Sequence, residues 1–231
     1  MDRREVYVVV GCTPWAETAF CKRISRFPGE WHYIDDRDDL NIDALSAIEP
    51  VAVFFLHWSW KVQDDLLDAY ECICFHMTDL PYGRGGSPLQ NLILRGHTMT
   101  RLTAFRMTAE FDAGPVYLKR NMSLDGSARE IYDRMCDLAS SMILDLIPNL
   151  PDPKPQEGKP VVFSRRKPDQ SWMTKVESLS NMHDFIRMHD AAGYPKAFLV
   201  HEGLRFEFSD SHREGGRLTA QVEISMLDSE S

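Results

Sequence analysis

The sequence has no apolar run approaching the roughly 20 residues that cross a bilayer, which argues against a membrane-spanning helix. Its first apolar stretch, Val6-Tyr7-Val8-Val9-Val10, is too short for the core of a secretion signal and has no small-residue cleavage site after it. It reads as a buried first strand, and the expected location is cytoplasmic. Cysteine is sparse. Cys12, Cys21, Cys72, Cys74 and Cys136 are odd in number and irregularly spaced, which argues against a disulfide framework. The Cys72-x-Cys74 pair beside His76 lacks both the two-residue spacing and the second pair of a structural zinc site. Along a strand these three side chains would share a face, and free cysteine is commonly buried for packing, so no metal is expected. Positive charge is also short, with 26 Lys and Arg against 35 Asp and Glu, for a net charge of -9 and a pI near 5.4. Such a chain repels phosphate backbones, so no nucleic-acid partner is expected. Repeats and low-complexity segments are absent.

What remains is an ordinary globular composition: 231 residues, 43% hydrophobic, with 13 prolines and 13 glycines. This length fits one domain of moderate size with a short appendage. The first half alternates strand and helix signals. Val6–Val10 ends at Gly11, and Thr13-Pro14 is a helix-start signature with Thr as N-cap. A helix over 15–25, a strand over 31–34, a helix over 42–48, a buried strand over 51–56, a helix over 64–70 and a buried strand over 72–75 follow. This alternation predicts an α/β fold with a doubly wound, mostly parallel sheet. A polar, Gly-rich loop follows His76, then a helix over 89–95, strands over 98–107 and 116–121, and an amphipathic helix over 128–147 opened by a Ser127/Glu130 capping box. Prolines 148, 151, 153, 155 and 160 mark a linker or an extended surface arm. The expected division is a core over 1–147, a Pro-rich linker over 148–160 and a small helix-plus-hairpin subdomain over 161–231. In that subdomain a helix is expected near 181–189, with strands at 197–200, 205–208 and 218–224.

Two residues stand out on physical grounds. His76 sits at the carboxyl end of a buried strand, where parallel sheets present ligand-binding and catalytic groups. Asp112 occupies a tight Asp-Ala-Gly turn between two strands. A histidine with a carboxylate partner can take a proton near neutral pH, the carboxylate fixing its tautomer and stabilising its charged form. Taken alone, His76 is equally a strand-end residue satisfied by backbone, and Asp112 a turn residue bonding its own backbone.

The segment Phe75-His76-Met77-Thr78-Asp79-Leu80-Pro81-Tyr82-Gly83-Arg84-Gly85, followed by Phe111-Asp112-Ala113-Gly114-Pro115, resembles the paired motif of folate-dependent formyltransferases. The resemblance is strongest over 51–135, weaker over 160–200 and only topological over 1–50. It implies a Rossmann-like core, with 10-formyltetrahydrofolate as co-substrate. It implies His76 as base for an attacking amine or donor to the developing oxyanion, and Asp112 as its partner. Oxyanion donors of this kind typically lower a barrier by about 3 kcal/mol. Thr78, Leu80, Pro81, Gly83, Arg84, Gly85, Phe111 and Gly114 would form the folate slot, with Leu80 and Pro81 as apolar walls and Arg84 either structuring the loop or meeting an acidic group. Cys74 stands where the family usually has Asn. A thiol is a weak donor, so Ser87, Gln90, Asn91 or a backbone N–H would replace the missing amide, or activity would rest more heavily on His76.

The segments His57-Trp58-Ser59, Arg165-Arg166-Lys167-Pro168 and Gly193-Tyr194-Pro195-Lys196-Ala197 resemble the sugar N-formyltransferases within the family. The acceptor this implies is a small-molecule amine, best matched by a nucleotide-linked amino sugar. Trp58, with Trp15 and Trp60, could stack on a base or sugar, although such residues more often pack a core. Arg165, Arg166 and Lys167 could hold a phosphate, although three basic residues more often form a solvated loop. The competing expectations are glycinamide ribonucleotide as acceptor, or a folate- or nucleotide-binding protein of little or no catalytic activity. A homodimer is a further expectation.

Overall fold

The structure is a computed structural model, and it describes residues 5–227. The chain divides into two compact units. One takes the chain up to Gly85 with Thr100–Met122 and Tyr132–Val162; the other takes Gly86–Met99, Ser123–Ile131 and the chain from Phe163 onward.

The elements of the first unit begin with β1 (Val6–Val10), α1 (Pro14–Lys22), β2 (Glu30–Ile34), α2 (Ile42–Ile48), β3 (Ala52–Phe55), α3 (Asp64–Ala69) and β4 (Cys72–His76). After a short β5 (Tyr82–Gly85) the chain forms α4 (Pro88–Leu94), β6 (Met99–Arg106), β7 (Val116–Ser123), α5 (Ala128–Leu146) and β8 (Val161–Phe163). The six-stranded sheet runs β2-β1-β3-β4-β6-β7. Strand β1 pairs in parallel with β2 and β3, and β3 with β4, whereas β4 meets β6 antiparallel, with His76 opposite Thr103. The doubly wound, mostly parallel α/β reading therefore stands, with the change of direction at β4.

Burial explains these elements. Every residue of β3 is buried, as is all of β1 after Val6, the pattern of strands covered on both faces. Val8, Val10, Val53 and Phe55 pack with Leu40, Leu45 and Leu66. Each such fully buried side chain contributes about 1.5–3 kcal/mol. Helix α2 starts where Asn41 Oδ1 accepts from Ala44 N at 2.9 Å. Thr13 behaves differently from its sequence signature. It precedes α1, but its hydroxyl caps nothing and is buried without a partner. Along α5, Ile131, Met135, Ala139, Met142, Ile143 and Leu146 form the buried stripe expected of an amphipathic helix. The Ser127/Glu130 capping box is present, with Ser127 N donating to Glu130 Oε2 at 2.8 Å and Glu130 N to Ser127 Oγ at 3.3 Å.

In the second unit, α6 (Leu179–Arg187) packs on an antiparallel sheet ordered β11-β10-β9, made of β9 (Ala197–His201), β10 (Leu204–Glu214) and β11 (Arg217–Met226). Met173, Ile186, Ala197 and Phe208 form its centre, with Met182, Phe185, Leu199 and Phe206 against it. The hairpin strands extend well past their apolar runs. No helix among the described residues is long and apolar enough to cross a membrane.

Candidate active site

Strand β4 is buried along its length apart from half-buried Cys74, and it delivers His76 to the carboxyl end of the parallel strands. His76 is itself buried, and its Nε2 lies 2.8 Å from the carbonyl oxygen of Gly83. A carbonyl only accepts, so Nε2 carries the proton and donates. In the neutral ring Nδ1 is then a bare lone pair, 3.8 Å from Asp112 Oδ2. That separation is too long for a hydrogen bond and within ion-pair range.

The Gly83 carbonyl is held in place by the loop after β4. Buried Thr78 donates through Oγ1 to Gly83 O at 3.3 Å, and Thr103 Oγ1 donates back to Thr78 O at 2.6 Å. Thr100 Oγ1 donates to Met77 O at 2.9 Å. Leu80 is fully buried, Pro81 is buried behind a cis peptide bond, and Pro81 O accepts from Val161 N at 3.1 Å. The bend needs glycine at two points, since Gly83 and Gly85 have φ of 79° and 99°.

Asp112 sits at φ 52°, in the left-handed region that Asp and Asn tolerate better than most residues. Its Oδ2 accepts from Gly85 N at 2.7 Å, which aims the carboxylate at the histidine loop. Gly114 is required by space: a Cβ there would lie 1.8 Å from Arg106 O. A residue with no sequence signal completes the arrangement. Gln156, from the Pro-rich segment, donates through Nε2 to Asp112 O and Gly114 O, both at 2.8 Å. Its Oε1 accepts from Arg84 Nε at 3.1 Å and Nη2 at 2.8 Å. Arg84 Nη1 also meets Glu110 Oε1 at 3.2 Å. Arg84 thus ties the loop to Gln156 and also pairs with an acidic side chain, Glu110.

Cys74 belongs to the same group. Its thiol is pushed up by burial first and by the Asp112 carboxylate second, so it stays protonated and a weak donor. Of the other polar groups considered for the missing amide, Asn91 and Gln90 spend amide donors within the second unit, whereas Ser87 Oγ accepts there. Asn91 Nδ2 donates to the carbonyls of Gly86, Ser87 and Ser164 at 3.0–3.1 Å, Gln90 Nε2 donates to Met188 O at 3.1 Å, and Ser87 Oγ accepts from Arg166 N at 3.0 Å. No group of three or more His, Cys, Asp or Glu side chains among the described residues could hold a metal ion.

Beside Asp112 lies a pocket walled by Val62, Leu67, Phe105, Met107 and Phe111, with Lys61 in its lining. Phe111 is 65% exposed there, an apolar ring presented to solvent next to a candidate catalytic carboxylate. The tryptophans separate. Trp15 is core, stacked on Tyr132 at 4.8 Å and donating to His57 Nδ1 at 3.1 Å. Trp58 is half-buried against exposed Trp60, and its indole N–H is buried without an acceptor. In the basic triplet Arg165 and Lys167 are exposed. Arg166 is half-buried over Phe185, bonded to Gln170 O, and lowered in pKa by burial.

The carboxyl end of β4 thus brings together a buried histidine, a turn carboxylate and, beside that turn, an apolar pocket. A solved structure described as methionyl-tRNA formyltransferase from Clostridium thermocellum superposes with a TM-score of 0.90 at 36% identity, covering 96% of this chain and 99% of that one. The chain belongs to the formyltransferase family. Residues 168–225 match the family described as methionyl-tRNA formyltransferase, C-terminal domain. A methionyl-tRNA formyltransferase from Rickettsia bellii (strain RML369-C) is 25% identical over 154 residues, 64% of this chain. The matched segments are 49% and 36% of the first two curated relatives, so the chain spans about half their length or less. A 4-N formyltransferase from Francisella tularensis shares the fold, with a TM-score of 0.62 at 16% identity, covering 94% of this chain and 96% of that one.

Proposed function

We propose that this chain moves a formyl group from 10-formyltetrahydrofolate to the primary amine of a small molecule, an amino sugar carried on a nucleotide. The observation that carries the reading is the placement of His76: its Nε2 lies 2.8 Å from Gly83 O, and its Nδ1 faces Asp112 Oδ2 at 3.8 Å. That is the configuration of a general base. Beside Asp112 the exposed ring of Phe111 and the Lys61 side chain support contact with a flat ring and an acidic group, although the pocket they line is small. When bound, the folate supplies a formyl carbon activated toward amines. The chain's own residues would take up the amine's proton at His76 Nδ1, hold Asp112 beside it through Gly85 N–H, and return a proton to the nitrogen from which the formyl carbon departs. Thr78, Gly83, Arg84, Gly85, Phe111 and Gly114 are the candidates for the folate, with buried Leu80 and Pro81 supporting their loop and Cys74 beside it, while Trp58, Arg165, Arg166 and Lys167 are the candidates for the nucleotide and sugar.

Charge favours a small acceptor. The segment 168–225 carries six Lys and Arg against nine Asp and Glu, a poor surface for an RNA backbone. The second reading is formylation of methionyl-tRNA, favoured by the 36% identical structure and by the family match over that same segment. One experiment separates them. The protein is incubated with 10-formyltetrahydrofolate and, in parallel, with nucleotide-linked amino sugars, glycinamide ribonucleotide and methionyl-tRNA, and the products are read by mass spectrometry. A formylated amino sugar supports the proposal. Formylated methionyl-tRNA alone replaces the acceptor, and folate binding without any product overturns the catalytic reading.

A further inference from the structure

We infer that Gln156 is a positioning residue for the His76–Asp112 pair. The inference rests on the reading of that pair as the reacting centre. Gln156 lies in a stretch with no helix or strand of its own, tied to the first unit at Lys154, which exchanges two backbone hydrogen bonds with Val116 at 2.6 and 2.8 Å. From that anchored arm one side chain makes four hydrogen bonds to two separate pieces of the site. Its amide nitrogen holds both carbonyls flanking Ala113, and its oxygen holds the guanidinium of Arg84.

The consequences follow from chain connectivity. Arg84 stands between Gly83, whose carbonyl fixes the His76 tautomer, and Gly85, whose N–H aims the Asp112 carboxylate. Asp112 is held in a left-handed conformation, and Gln156 Nε2 holds its carbonyl. Gln156 therefore sets the spacing between the Gly83–Gly85 loop and the Asp112 turn, the spacing on which both the Nε2–H bond and the 3.8 Å approach depend. No other standard side chain of this length offers two donors and a carbonyl acceptor together. Glutamate would retain the acceptor for Arg84 and lose both donations; methionine would retain the approximate volume and lose all four bonds.

The test uses the full chain, as wild type, Gln156→Met and Gln156→Glu. Protein labelled with 15N-histidine reports which ring nitrogen of His76 carries the proton, with His76→Gln assigning the signals. Steady-state kinetics use 10-formyltetrahydrofolate and the acceptor that the wild type formylates. In both variants kcat should fall about 10- to 100-fold, the size of a misplacement near 1 Å, with KM for each substrate little changed and the His76 signals moved away from the single Nε2–H form. Should Gln156→Met fail to fold, Gln156→Glu carries both readouts. Unchanged kcat together with unchanged His76 signals in a folded variant overturns the inference. A wild type that transfers no formyl group, but whose His76 signals still respond to Gln156→Glu, supports the positioning role and overturns the reaction instead.

Discussion

Asp112 Oδ2 stands 3.8 Å from His76 Nδ1 and is held there by a 2.7 Å hydrogen bond from Gly85 N. A direct hydrogen bond would require a proton on Nδ1 and would consume the lone pair that a base needs. A carboxylate slightly too distant to bond leaves Nδ1 available to a reacting group while keeping an opposite charge near the ring. Opposite it, Gly83 O claims the Nε2 proton and removes the alternative tautomer. The pair is thus prepared to accept a proton at one known atom.

The turn that carries Asp112 has no spare room at Gly114. Gly114→Ala places a methyl group against Arg106 O, which is backbone and cannot swing aside. The expected loss is about 3 kcal/mol or more, read from urea denaturation midpoints. A variant as stable as wild type would mean that the β6–β7 turn relaxes freely.

Acid should weaken the second unit through His189. Burial pushes this histidine down to about 4, against an ordinary value of 6.5, with the bond to Phe185 O opposing and Arg166 adding. The unfolded chain therefore takes up the proton first. Stability is intact above about pH 6.5 and falls toward pH 4, by up to about 3 kcal/mol. Denaturation midpoints at the two ends of that window measure the loss, and His189→Gln should shrink it.

Glu71 ties β4 to the antiparallel strands. It accepts from Arg106 Nε at 2.7 Å and Nη2 at 2.5 Å, and from Tyr117 Oη at 2.5 Å. Glu71→Gln should cost about 1–2 kcal/mol, reduced from a fully buried ionic network because Arg106 is partly exposed. Adding salt should narrow the difference between the two proteins; a difference insensitive to salt would assign the loss to packing.

Thiol reactivity should divide the cysteines by burial. Cys21 is exposed, whereas burial pushes Cys72 up to about 12 and raises Cys74 and Cys136 as well. Iodoacetamide at mildly alkaline pH is expected to mark Cys21 first and leave Cys72 and Cys136 unmodified in the folded protein. Early labelling of Cys72, located by peptide mass mapping, would contradict the packing of β4.

Much of this arrangement was legible in the residues, and the gaps have physical causes. Helix α2 was recovered at both ends because its apolar spacing is local, and the parallel strands announce themselves by continuous apolar runs. His76 and Asp112 stood out through position and through resemblance to the formyltransferase motif. Strand β5 was hidden inside a glycine loop, because it pairs with β8 about 80 residues away in sequence. The second half of β10, Ser209–Glu214, is polar and carries no alternation, so its strand is set by pairing with β11. Gln156 was invisible for a related reason. Proline-rich surroundings erase periodicity, and its partners at 84, 112 and 114 meet it only in the folded chain.

The most direct measurement is single-turnover formyl transfer by wild type, His76→Ala and Asp112→Asn, each checked for folding by thermal melting. Asparagine tolerates the left-handed conformation at 112, removes the charge and exchanges one acceptor oxygen for an NH2 donor. Both variants should melt near wild type and transfer the formyl group at least about 10²-fold more slowly. A folded His76→Ala protein that transfers at the wild-type rate would contradict the assignment of this pair as the reacting centre.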